Sequence, residues 1–395
     1  MDVMDAARAH RDYMIRVRRH LHAHPEVSLE EANTADFIAS ELTAMGIPHV
    51  RAGSYGLVAT VAGSSNSRMV ALRADIDALP IQEENPDLDY ASRVPGAMHA
   101  CGHDGHTAML LGAARILKAH ASQMPGTVKL CFQQAEEIGR GAAEIMEELA
   151  PYPVESMFGI HLWSELETGR ISIEPGARMA AVNRVVIRVR GVGAHGAYPN
   201  RGADPIIAAA AIVMNCAALN SREIDPAAPV TLSFGQIQGG SSANVIPEEV
   251  TLTGTLRTTS RAVRAQMIEA IQRVARTAAE TWRTTAEVEI GSNFGLVDNH
   301  PDCSALAQAA VARLGLEGSL AQFPTLMASE NFADYLQRYP GLFAFIGVRN
   351  PAIGAVYPHH NPKFRIDEDS LVLGAALHAQ YALESFAAPP VAATV

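Results

Sequence analysis

Cysteine is scarce in this chain of 395 residues: there are four, Cys101, Cys131, Cys216 and Cys303, far apart and with no Cys-x-x-Cys pair. That excludes a disulfide framework and a thioredoxin-type redox site, and it fits a reducing cytoplasm. Long apolar runs are missing as well. The longest, Ile206 to Leu219, covers 14 residues and contains Asn215, short of the roughly 20 that span a bilayer as a helix. It reads as a buried helix. Positive charge is in deficit, 31 Lys+Arg against 42 Asp+Glu for a net charge of −11, which argues against nucleic acid and anionic membranes as partners. The segment Met1 to His20 is charged and helical in pattern, without the apolar stretch or small-residue cleavage site that would mark export. There is no internal repeat, and no low-complexity segment beyond the Ala/Pro-rich tail after Phe386.

What the chain does have is apolar mass. With 48% hydrophobic and 18% charged residues it can bury a large core, and its length suggests about two to four domains. Helical spacing through Met14, Val17 and Leu21, a break at His24-Pro25, then Phe37 and Leu42 predicts two opening helices. Three short apolar runs follow: Met69–Leu72, Val128–Phe132 and Ser156–Ile160. Each ends in polar residues, as expected of an α/β sheet that presents a site at the carboxyl ends of its strands. Between them, Thr107 to His120 carries a helical apolar face.

From about Asn183 the pattern becomes strand, helix, two strands, helix, strand, ending near Ile290, the split βαβ order of a small ferredoxin-like domain. A buried strand, Leu342–Ile346, and a last helix, Asp369–Phe386, then resume the first texture. The predicted fold is therefore α/β: a mixed-sheet domain with helices on both faces, residues 1–182 and 293–395, interrupted by an α+β insertion, residues 183–292.

Fifteen histidines are the compositional oddity, and several gather in motifs. Met98 to His106 holds one thiol and three imidazoles beside a carboxylate and two glycines. Cys101 and His103, at i and i+2, can point to one side of an extended segment and offer soft and borderline metal ligands together. The same pair could serve as a cysteine nucleophile with its base, or sit in a polar loop. Glu136-Glu137 ends a buried strand, where two carboxylates would repel without a cation; one could ligate a metal while the other stays free as a base, or both could be a solvated surface pair. His161 and His360 are open to equally plain readings, a core histidine and a loop histidine.

Taken in order, these motifs resemble the M20 family of metallopeptidases, in its aminoacylase-like subgroup of hippurate hydrolases, auxin-conjugate amidohydrolases and N-acetyldiaminopimelate deacetylases. The likeness runs through Arg19–Glu26, Arg73–Pro80, Met98–His106, Phe132–Glu137, Gly193-Ala194-His195-Gly196, Asn244–Pro247 and His360-Asn361-Pro362. It implies a site for two divalent metal ions, Zn or Mn in the first place and Co or Ni as alternatives, ligated by Cys101, His103, Glu137, His161 and His360. Glu136 would be the general base, and Asp75 or Asp77 would orient the site, with Asp75 favoured. In the insertion, a lid and dimerisation domain by the same likeness, His195 would hold the oxyanion, reaching the partner's site in a dimer. Asn244 and Arg257 would contact substrate, Arg257 its carboxylate, unless it is spent on a strand-surface salt bridge.

The family pattern is broken at Gln134, Ile138 and Asn331, where Pro, Gly and Asp are usual. Ile138 is expected to add bulk near the base and Asn331 to remove a charge near the rim, both bearing on substrate preference. The function expected is hydrolysis of N-acyl amino acids, hippurate-like or with another aromatic acyl group, by a cytoplasmic homodimer or dimer-based homo-oligomer. The alternatives are a dipeptidase or N-acetyl amino acid deacetylase, a catalytically silent binding or assembly protein on this fold, and a cysteine hydrolase.

Overall fold

A computed structural model describes residues 2–391; Met1 and the last four residues of the Ala/Pro-rich tail lie outside the described residues. The chain forms two compact units. One comprises the residues up to Gly176, Asp298–Pro324, and those from Asn331 onward; the other comprises Ala177–Val297 and Thr325–Glu330.

The first unit is built on seven strands in the spatial order His49–Ala52, Gly56–Val61, Thr127–Gln133, Met69–Asp75, Val154–Glu167, Gly341–Arg349 and Ile171–Ser172. The four from Thr127–Gln133 to Gly341–Arg349 are mutually parallel, and each flanking strand pairs antiparallel with its inner neighbour. Every residue of Met69–Asp75 and Thr127–Gln133 is buried, as expected of parallel strands covered on both faces. The helices His103–His120 and Ser370–Ala387 pack together close enough to require glycine: a Cβ on Gly374 would lie 1.9 Å from Met109 Sδ.

In the second unit four antiparallel strands take the order Val230–Gly239, Glu249–Thr258, Ala181–Arg190, Thr285–Phe294, the ferredoxin-like arrangement. Burial alternates along Glu249–Thr258, and the inward residues Val250, Leu252 and Leu256 meet Ala209, Ile212, Met267 and Ile271 of the two helices, Pro205–Arg222 and Arg261–Thr281. Asp204 caps the first helix by accepting from Ile206 N at 2.8 Å, and Ser260 caps the second.

Three expectations differ from this structure. The apolar run at Ile206–Leu219 is buried on one face only; Ile206, Ile207 and Met214 are exposed, because the sheet covers a single side of the helix. By length and composition it is the one helix among the described residues that could cross a membrane. The second unit also starts at Ala177 and takes in Thr325–Glu330, which sequence boundaries leave to the first. Leu326 N donates to Arg178 O at 2.9 Å, and Ala180 N donates to the carbonyls of Leu326 and Ala328; periodicity cannot reveal a pairing between segments so far apart in sequence. Lastly, Asn331 is fully buried rather than at a rim. Its Oδ1 accepts from Gln133 Nε2 at 2.8 Å and Arg73 Nη2 at 3.2 Å, and its Nδ2 donates to the Arg140 carbonyl.

Candidate metal centre

Cys101 and His103 come together by a different route from an extended strand. Gly102 has φ +94° and stands immediately before the helix His103–His120, so the chain reverses between the two side chains at a residue without a Cβ. Within the first helical turn, His103 Nδ1 donates to Asp77 Oδ1 at 3.1 Å, which leaves Nε2 as the free ring nitrogen.

Glu136 and Glu137 likewise diverge through a turn rather than through strand alternation. The strand ends at Gln133, Ala135 adopts φ +56°, and Glu136–Ile138 form a single 3-10 turn. Ala135 N donates to Glu31 Oε1 at 2.7 Å and Glu137 N to Asp77 Oδ2 at 3.1 Å, so buried carboxylates hold the turn from two sides. Glu136 is buried, with Oε1 accepting from Asn331 N at 3.2 Å. Ile138 is exposed, and Gln134 Oε1 accepts from the backbone N–H groups of Tyr55 and Gly56.

His161 lies in mid-strand, not at a strand end. The neighbouring strand Met69–Asp75 pairs with it only as far as Arg73 opposite Gly159, so His161 stands just beyond that neighbour's last pairing. Its Nδ1 donates to the Leu162 carbonyl at 2.7 Å, and Nε2 lies 3.6 Å from Cys101 Sγ. His360, at φ +61°, is fixed by its own N–H to the Ala100 carbonyl at 2.8 Å and brings Nε2 to 3.4 Å from Glu137 Oε1.

The five residues expected as ligands thus converge. The ligand atoms of Cys101, His103 and His161 lie within 4.8 Å of one another, as do those of Cys101, Glu137 and His360, and those of His103, Glu136 and Glu137. His103 Nε2 and Glu137 Oε1 are buried and have no hydrogen-bond partner, a costly state for polar atoms unless something else satisfies them. The electrostatics ask for the same thing. Burial, followed by the Glu137 charge, pushes the Cys101 thiol well above its usual range. Burial would lower His103, yet Asp75, Cys101 and Asp77 raise it well above an ordinary imidazole, so positive charge is favoured at this point. Burial and then His106 hold His161 well below the usual range, in the neutral form that ligates. A soft thiolate, imidazoles and a carboxylate suit a Zn-like divalent ion, and the two buried atoms without hydrogen bonds fit that reading.

Of the two candidate orienting carboxylates, Asp77 is the one bonded to His103 Nδ1, whereas the sequence favours Asp75. Asp75 Oδ2 accepts from Arg73 Nη1 and Oδ1 from His106 Nδ1, each at 2.6 Å. His106 is excluded as a ligand in this arrangement although it lies near His103 and Asp75, because its Nε2 accepts from Leu162 N at 2.9 Å and both ring nitrogens are occupied. Sequence reasoning missed Glu31, Arg73, His106 and His359. His359 Nε2 donates to the Leu162 carbonyl at 3.0 Å, with Ser164 Oγ 3.1 Å from Nδ1. A carboxylate or imidazole that supports a ligand only through space leaves no local spacing signal.

His195, Asn244 and Arg257 belong to the second unit. His195 pairs with Val245 in a two-stranded ribbon, and Gly196 N donates to the Asn244 carbonyl at 2.7 Å. Arg257 Nη1 donates to the Met327 carbonyl at 2.8 Å; among the described residues it makes no ion pair, so the salt bridge weighed for it is absent there.

The thiol, imidazoles and carboxylates gathered here form a site suited to divalent metal ions, and likeness to known proteins assigns it to a class of metal-dependent hydrolases of amide bonds. The chain belongs to peptidase family M20/M25/M40, whose pattern matches residues 71–384. It is 37% identical to the IAA-amino acid hydrolase ILR1-like 4 of Arabidopsis thaliana over 94% of this chain and 85% of that one. It is 38% identical to the N-acetyl-L-cysteine deacetylase of Bacillus subtilis over 91% and 85%. Among solved structures it is similar to the Bacillus subtilis YXEP protein, a dinuclear metal binding peptidase of the M20 family, with a TM-score of 0.84, 33% identity, and coverage of 95% of this chain and 98% of that one.

Proposed function

We propose that the chain hydrolyses N-acyl amino acids, releasing a carboxylic acid and a free amino acid, at a centre for two divalent ions held by Cys101, His103, Glu137, His161 and His360. The observation that carries this reading is the convergence of buried His103 Nε2 and Glu137 Oε1, neither of them hydrogen-bonded, with Cys101 Sγ and the Nε2 atoms of His161 and His360. Similarity to a dinuclear metal binding peptidase supports the count of two. When bound, such ions supply Lewis acidity, acidifying a water and polarising the amide carbonyl. Glu136 then takes the water's proton and delivers it to the leaving nitrogen, base first and acid second. Asp77 keeps His103 in the tautomer that leaves Nε2 bare. His195 stabilises the oxyanion, and Arg257, with Asn244, receives the substrate carboxylate.

An aromatic acyl group is the preferred substrate in this reading, supported by likeness to an IAA-amino acid hydrolase; likeness to an N-acetyl-L-cysteine deacetylase favours acetyl as the second reading. The protein acts in the cytoplasm as a homodimer, and the exposed Ile206, Ile207 and Met214 supply apolar surface for association. The test is metal-free protein reconstituted separately with Zn, Mn, Co and Ni and assayed on benzoyl, indoleacetyl and acetyl amino acids. Activity is expected to return with metal, to vanish with chelator, and to favour the aromatic acyl groups. Cys101→Ala is expected to lower bound metal per chain. Full metal and full activity in that variant would refute the site, and loss to thiol alkylation without sensitivity to chelation would favour a cysteine hydrolase.

A further inference from the structure

Lysine is the rarest charged residue in the chain, which has three: Lys118, Lys129 and Lys363. Two of them, Lys118 and Lys129, line a single cavity of about 480 Å³ together with Pro48, Thr60, Asn66 and Tyr152. Lys363 lines a different cavity that carries Glu83 and Glu84. The first cavity lies by the amino-terminal part of the strand Thr127–Gln133, away from the end that leads into Glu136 and Glu137.

Lys129 is 4% exposed. Its Nζ donates to Thr60 Oγ1 at 3.0 Å and lies 3.5 Å from the centre of the Tyr152 ring. Among the described residues it has no carboxylate partner. Glu155, at the same end of the sheet, is held bidentately by Arg68. An ammonium has three N–H groups and no acceptor, and a charge removed from water is normally paired. Lys118 Nζ spends one bond on the Gly46 carbonyl at 2.9 Å and retains two donors. In a chain of net charge −11, two ammonium groups around one cavity without an acid between them leave the counter-charge to come from outside.

We propose that this cavity binds a small anionic molecule through a carboxylate or phosphate group, at a site separate from the metal centre. Lys129 forms the buried end of the site, Lys118 its solvent side, and the half-exposed Tyr152 ring one wall.

Isothermal titration of the metal-loaded protein at low ionic strength, with inorganic phosphate, benzoate and the neutral benzamide as probes, tests this. Saturable binding is expected for at least one anion and not for benzamide, and the stronger anion distinguishes a phosphate ligand from a carboxylate one. Lys118→Gln is expected to weaken that binding about tenfold, the loss of one charge-assisted bond, and Lys129→Met to abolish it. Anion held at the metal centre would survive both substitutions. Binding within about threefold of the unmodified chain in Lys118→Gln overturns the proposal, as does the absence of saturable binding of either anion below about 10 mM. Lys118 is exposed, so that variant decides the matter even if Lys129→Met does not fold.

Discussion

Asp77 Oδ1 lies 3.1 Å from Nδ1 of His103, while its Oδ2 accepts the Glu137 N–H at 3.1 Å and the Ser28 hydroxyl at 2.6 Å. One buried carboxylate therefore orients the imidazole of His103 and anchors the turn that carries Glu137, two of the residues proposed as ligands. Burial would raise its pKa, but the His103 bond and charge together with the Ser28 bond outweigh that and hold it below the usual range, so it remains the acceptor that all three donors need.

Asp77→Asn should accordingly weaken metal binding about 10–100-fold, the usual cost of removing such a support, with little change in folding. Asp75→Asn should do the reverse. It removes the buried charge that faces both Arg73 Nη1 and His106 Nδ1, and breaking a buried pair costs about 3–5 kcal/mol. Metal titration and denaturant midpoints on both variants separate the two roles; equal losses of metal affinity would return Asp75 to the position the sequence favours.

The adjacent glutamates should also separate. Glu136→Gln should keep the metals yet lose at least about 10²-fold in kcat, the lower range for a positioned acid/base. Glu137→Gln should lose metal as well, because it removes the negative charge that faces His360 and His103. Metal analysis beside single-turnover rates reads this out, and the opposite pattern would exchange the assignments.

Much of this centre was legible in the sequence because ligand chemistry is carried by residue type: a thiol, imidazoles and paired carboxylates are informative wherever the backbone puts them. The backbone routes were not. Cys101 and His103 meet across the left-handed Gly102, and Glu136 and Glu137 part within the 3-10 turn that follows the left-handed Ala135, whereas alternation along a strand was the rule available from sequence. The choice between Asp75 and Asp77 was invisible for a related reason: both are buried, two residues apart at and just past the end of one strand, and it is the bond from His103 Nδ1 that distinguishes them. Helices and strands with long periodic faces were recovered well, including Pro205–Arg222 and the inserted sheet. The Thr325–Glu330 segment, paired through backbone groups alone, had no side-chain pattern to show.

Acid stability should report His378, a buried imidazole of the final helix with neither ring nitrogen hydrogen-bonded. Burial, and secondarily the His106 charge, lowers it to about 3 from an unfolded value of 6.5. Between those values the unfolded chain binds the proton and the folded chain does not, so the stability present above pH 6.5 is progressively lost as pH falls toward 3. Measured without metal by urea unfolding, His378→Leu should show a shallower loss over that window than the unmodified chain. Parallel curves would mean that His378 is protonated, or solvated, in the folded state.

The role proposed for His195 is tested by mixing chains. An oxyanion donor acts mainly on the transition state, and losing one costs about 2.7–4 kcal/mol in a well-studied hydrolase. His195→Ala should therefore lower kcat while leaving metal content and fold unchanged, since its side chain is exposed and the ribbon around it is held by backbone bonds. If His195 serves the partner's centre in a dimer, mixing His195→Ala chains with Glu136→Gln chains, each nearly inactive alone, should restore activity. Half of the centres in each mixed dimer then combine an intact Glu136 with an intact His195. Subunit exchange demonstrated by labelled chains without any recovery would refute action across the dimer, and retention of kcat in His195→Ala alone would remove the residue from the mechanism.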